Sequence, residues 1–83
     1  MDVYDFLNTF TDLSAVVLSI FDCSSEEVVW NSVKDMDADD IDAVTALQCS
    51  DFASYEVQGV DLFKNRDNMI QMEINIDMGD END

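Results

Sequence analysis

Residues 34–42 read KDMDADDID, which places five aspartates in eight positions. A cluster of carboxylates can coordinate a hard cation, work as a general acid and base, cap a helix, or present negative charge to a cationic partner. Calcium is tested by spacing. Asp35, Asp37 and Asp39 match positions 1, 3 and 5 of the helix-loop-helix calcium loop, but Asp40 stands where the loop needs glycine and Ala46 where it needs a bidentate glutamate. The preceding segment also reads as a strand, so a divalent-cation binder is the weakest of the readings. Catalysis lacks its usual groups. There is no histidine to serve as base or ligand, and Cys23 and Cys49 have acidic neighbours, which raise a thiol pKa. Gly59 and Gly79 are the only glycines, so there is no phosphate-cradling loop. The composition points away from an enzyme and implies no cofactor.

Helix capping explains one or two of these aspartates. It leaves Glu26, Glu27, Glu56, Asp61, Glu73, Asp77 and the tail, all of one sign. In total 20 acidic residues face only Lys34, Lys64 and Arg66, for a net charge of −17. Such a chain is repelled by nucleic acid and anionic membranes, and a positively charged protein partner is favoured. The bland alternative is an acidic coat that serves solubility alone.

The elements that would position these groups follow from periodicity. In MDVYDFLNTFTDL, Val3, Phe6, Leu7, Phe10 and Leu13 share one helical face, with Asp2 as cap. In SAVVLSIFDCSSEEVVWNSV, two β-rich arms flank the turn residues Asp22-Cys23-Ser24-Ser25. The first arm is apolar on both faces and so belongs in the middle of a sheet or under a helix. On the second arm, Val29 and Val33 are expected to oppose Val28 and Trp30. A short helix opening near Asp37–Asp40 then carries Ala43, Val44 and Leu47 inward, with Ile41. A second hairpin turns at 64–68. Its last arm alternates Ile70, Met72, Ile74, Ile76 and Met78 with Gln71, Glu73, Asn75 and Asp77, a pattern of one buried and one wet face. Its first arm changes phase between Val57 and Val60, which predicts an extra residue at Gln58-Gly59.

The expected fold is α+β: a four-stranded antiparallel sheet from two hairpins, with one or two helices on one face, in the order α-β-β-α-β-β. Residues 1–78 are expected to form a single domain, and 79–83 a frayed acidic tail. With 47% apolar residues, a packed core is expected rather than a disordered acidic segment. Two cysteines, with no basic-then-apolar leader, read as reduced thiols in a cytosol; a Cys23–Cys49 bridge is the alternative.

Side chains on one face of a strand recur about every 6.6–6.8 Å, comparable to neighbouring phosphates on one nucleic-acid strand. The candidate partner-binding residues are therefore Glu26, Glu27, Asp35, Asp37, Asp39, Asp40, Asp42, Glu73 and Asp77. Trp30 and Tyr55 are the candidate apolar anchors, supplying short-range energy at the centre. Binding of this kind weakens steeply with salt.

The segments KDMDADDID, SSEE and MEINIDMGDEND, with the small size and lack of His and Pro, resemble the small acidic inhibitors carried by phages and mobile elements. That class includes uracil-DNA glycosylase inhibitors, anti-restriction proteins and anti-CRISPR proteins. The resemblance implies a stoichiometric inhibitor of a basic nucleic-acid-binding protein, such as a CRISPR effector, in the host cytosol. Members of the class act by mimicry, by dimerising the target or by locking its conformation. The alternative reading is a small regulatory or assembly adaptor that docks through an apolar or edge-strand surface. A homodimer through an edge strand is also open.

Overall fold

A computed structural model of the chain describes residues 1–10, 16–36 and 42–79. The elements are α1 (Val3–Leu7), β1 (Val17–Asp22), β2 (Glu27–Asn31), α2 (Ala43–Gln48), a short 3-10 helix (Asp51–Ser54), β3 (Gly59–Lys64) and β4 (Ile70–Ile76). The α+β class and the α-β-β-α-β-β order are those expected from the sequence.

The sheet order is β2-β1-β4-β3, and both hairpins form as predicted. The sheet is mixed rather than purely antiparallel, because β1 and β4 lie side by side and parallel. The reason lies in the connection. A parallel relation needs a crossover of a dozen or more residues. Residues 32–58, which carry α2 and the 3-10 helix, return the chain along the sheet before β3 begins. The two most apolar arms then take the centre, where both their edges are hydrogen-bonded.

Leu18, Ile20, Met72, Ile74 and Ile76 pack under Val3 and Leu7 of α1 and Leu47 of α2 to form the core. α1 is shorter than its apolar stripe. Asp2 caps it, its carboxylate accepting from the Asp5 N–H at 2.8 Å, but the helix ends at Leu7, and Phe10 is exposed with its ring edge-on to Phe6. Leu13 lies outside the described residues. The N-terminal segment is pinned instead by the Asp2–Glu56 bridge and by Val3 N–H donating to the Tyr55 carbonyl. α2 opens later than expected, at Ala43, capped by Asp42 through the Thr45 N–H at 2.7 Å.

Two irregularities set which side chains face where. Gly59 pairs with Asn75, and the Gln58 N–H also donates to the Asn75 carbonyl at 2.7 Å. Two residues thus address one, and Tyr55, Val57 and Val60 all pack on the core despite their change of parity. The other irregularity was not foreseen. The β1–β2 register slips so that Ile20 faces Trp30 while Phe21 faces Val28. Val29 is the extra residue, and Val28 and Trp30 end on opposite faces rather than sharing one. Trp30 packs on the core and Val28 is exposed.

Candidate protein-interaction surface

The face of the sheet away from the helices is built in rows by the strand register. One row runs Asn31, Ser19, Glu73, Asp61; the next runs Val28, Phe21, Asn75, Gly59; a third holds Val17, Gln71 and Phe63. Part of this face is closed by its own polar side chains. Asn65 Nδ2 donates to Gln71 Oε1 at 3.2 Å, and Gln71 Nε2 donates to Ser19 Oγ at 3.0 Å. Ser19 and Gln71 are consequently buried, so this side of β4 is drier than its alternation implies.

Glu73 and Asp61 sit directly opposite one another across β3–β4, and like charges so placed are destabilising. Burial, with the Asp61 charge added, pushes the Glu73 carboxyl above its ordinary 4.5. Among the described residues, the only side-chain hydrogen bond to the pair is from Asn75 Nδ2 to Asp61 Oδ2 at 3.3 Å. Phe21 and the exposed Val28 and Phe63 lie in adjacent rows. The face therefore combines unpaired acid with accessible apolar surface.

The ends of the sheet differ in charge. β1 and β4 run in parallel toward an end that carries Asp22, Glu26, Glu27 and Asp77. Asp22, only 5% exposed, is the staple there. It accepts from the Met78 N–H at 3.1 Å, from Ser24 Oγ and N–H at 2.8 and 3.0 Å, and from Ser25 Oγ at 2.9 Å. The Met78 bond, with those from both serines, outweighs burial and lowers its pKa to about 2. Glu26 has φ 58°. The left-handed region disfavours such a side chain by about 1–2 kcal/mol, where glycine or asparagine would sit at less strain.

At the opposite end stand all three basic side chains: Lys34 after β2, Lys64 closing β3 and Arg66 in the β3–β4 turn. Lys34 and Arg66 line one shallow groove of about 230 Å³ together with Asp67, Asn31, Asn65 and Gln71. None of the three is ion-paired among the described residues, where the ion pair present joins the Met1 amino group to Glu56 at 3.9 Å. It is the bases that are segregated, not the acids.

The sequence candidates are distributed as follows. Glu26, Glu27 and Asp77 share the acidic end; Asp77 lies just past β4, where its carboxylate accepts from the Gly79 N–H at 2.9 Å. Glu73 lies on the open face. Asp42 is a helix cap, and Asp35 holds a turn by accepting from the Asn31 N–H at 2.7 Å. Asp37, Asp39 and Asp40 lie outside the described residues. Trp30 and Tyr55 are half-buried against the core on the helical side and are not on the face that bears Glu73. Phe21 and Phe63 are the residues that sequence reasoning passed over, and Asp61 was read there only as one more surplus acid. The parity of Phe21 with Ser19 was readable; the pairing of Asp61 with Glu73 needs the hairpin register.

Among the described residues no three His, Cys, Asp or Glu side chains gather as a metal site, and both cysteines are exposed free thiols. No described helix is long and apolar enough to cross a membrane. No protein-family model, curated relative or solved structure matches the chain.

Proposed function

We propose that the chain is a non-enzymatic binding protein that seats an acidic face in a cationic groove of another protein. The best reading of that partner is a nucleic-acid-binding protein whose site the chain occupies as an inhibitor. The observation that carries it is the Glu73–Asp61 pair, a like-charge contact held opposed on the open face with no base in its row. Folding alone favours a neutral or opposite-charged residue at one of those positions; a cationic partner turns the penalty into attraction. Phe21, Phe63 and Val28 supply the short-range energy in place of Trp30 and Tyr55. The left-handed Glu26 supports the same view, since acid is kept where a less strained residue would serve.

The test is retention of proteins from a nuclease-treated cell lysate on immobilised chain, with and without excess DNA. A nucleic-acid-binding protein retained at low salt, released by DNA and by rising salt, and weakened by Asp61→Asn with Glu73→Gln, is the expected result. Retention indifferent to DNA and to both substitutions sinks the proposal and favours an adaptor that docks by apolar contact.

A further inference from the structure

β3 is an edge strand, with no strand on its outer side among the described residues. The Asn65 N–H donates to the Met69 carbonyl, so the odd-numbered residues of this hairpin bond inward to β4. By the same alternation Val60, Leu62 and Lys64 turn their N–H and C=O groups outward. Edges are normally blunted by charged side chains, by proline, by a bulge within the strand, or by a cover, and Asp61 and Lys64 are the charges this strand carries. The chain has no proline, and the extra residue lies before the strand, leaving Gly59–Lys64 in unbroken register. The strand also exposes apolar side chains on both faces, Leu62 at 67% and Phe63 at 40%.

We infer that this edge receives an extended segment of the partner as a fifth strand. The segment carries lysine or arginine at alternate positions and apolar residues between them. The inference rests on the cationic-partner reading above and specifies how that partner docks. A residue opposite Asp61 comes within about 4.5–5.5 Å of it, with Glu73 one strand further in, so a cation there relieves the opposed carboxylates. Phe63, on the same face, packs against the aliphatic stem or charged head of a neighbouring cation. Residues on the other face of the segment meet Leu62 and Val60. A second copy of the chain is the wrong occupant, because it brings another net charge of −17 and a second Asp61 to the same edge.

The geometry dictates which backbone groups matter. Residues of the added strand opposite Val60, Leu62 and Lys64 form the hydrogen-bonded pairs, and these are the apolar positions; the cationic positions point their N–H groups away. The probe is the blocked peptide Lys-Val-Lys-Val-Lys-Val-Lys and two relatives, one N-methylated at every valine and one at every internal lysine. Methylating the valines is expected to weaken binding at low salt by about tenfold or more, while methylating the lysines leaves it nearly unchanged. Binding of the unmodified peptide should also slow amide exchange at Leu62. Equal binding by the two methylated peptides overturns the edge-strand proposal and leaves the cationic-partner reading intact. Failure of the unmodified peptide to bind likewise overturns it, while DNA-competed retention decides the broader reading separately.

Discussion

The two faces of the central strands are nearly equally hidden in places, yet they are made of different chemistry. Toward the helices β1 and β4 present Leu18, Ile20, Met72, Ile74 and Ile76, all apolar and 0–3% exposed. Away from the helices the same strands present Val17, itself 4% exposed, with Ser19, Phe21, Gln71, Glu73 and Asn75. Burial alone accounts for the first set. In the second, Ser19 and Gln71 satisfy each other, but Glu73 is set against Asp61. On the helical side Asp2 and Asp42 serve as caps; on the open face, among the described residues, Asp61 accepts one long bond from Asn75 and Glu73 accepts no side-chain bond. The comparison separates carboxylates that the fold uses from carboxylates that it merely tolerates.

The sharpest way to break this contrast is to truncate one residue on each face. Ile74→Ala removes a fully buried side chain and is expected to cost about 2–5 kcal/mol, read as a drop in the urea midpoint. Asn75→Ala, its neighbour on the open face, is expected to cost no more than about 1 kcal/mol. Comparable losses would mean that the open face is a second core rather than a surface.

Next in size is Asp22→Asn, which tests the acidic end. The folded pKa of Asp22, about 2, lies below its ordinary 3.8. Its carboxylate therefore stabilises the fold fully above 3.8, and that contribution is lost as pH falls toward 2. The variant is expected to melt well below the parent chain at neutral pH, with the gap closing as acid is added toward about pH 2. Differences between the two chains are the quantity to follow, because acid also relieves the general repulsion of a chain at −17. A gap that is constant with pH would show that the lost hydrogen-bond geometry, not the charge, is what the end depends on.

Asp42→Ala sharpens the comparison from the helical side. Removing an N-cap costs about 0.5–2 kcal/mol, and Asp42→Ser should restore most of it. Neither change should alter the salt dependence of partner binding. If Asp42→Ser weakens binding, this cap is also part of the docking surface.

Local features were legible in the sequence and long-range ones were not. Asp22-Cys23-Ser24-Ser25 and residues 64–68 marked both turns, the alternation at 70–76 marked β4, and the parity change placed an extra residue at Gln58-Gly59. Each is decided within a few residues. The β1–β4 pairing is decided by how residues 32–58 return the chain, and nothing local to either hairpin encodes it. The extra residue at Val29 was equally hidden, since Val28, Val29 and Trp30 are all strand formers and no glycine marks the slip. That slip set Trp30 against the core, where Tyr55 also packs, so neither shares the face that bears Glu73. Of the acidic site, Glu26, Glu27, Glu73 and Asp77 were readable as unpaired acid. The opposition of Glu73 to Asp61 required a register that only the folded hairpin supplies.

That opposition gives the smallest and most discriminating effect. Glu73→Gln keeps the shape of the side chain and removes one of two facing charges, so it should stabilise the fold by about 0.2–1 kcal/mol at neutral pH. The sign with pH is opposite to that of Asp22. A carboxyl whose folded pKa is raised burdens the fold while ionised, and the burden lifts as pH falls through that raised value toward the ordinary 4.5. The variant's advantage should therefore shrink on mild acidification, before Asp22 begins to titrate. The same substitution should weaken a cationic partner and flatten its salt dependence. Gain of stability together with loss of binding is the signature of a charge kept for use outside the fold. Loss of both would place Glu73 among the groups that hold the sheet together, and the distinction between the two faces would fail at the residue on which it most depends.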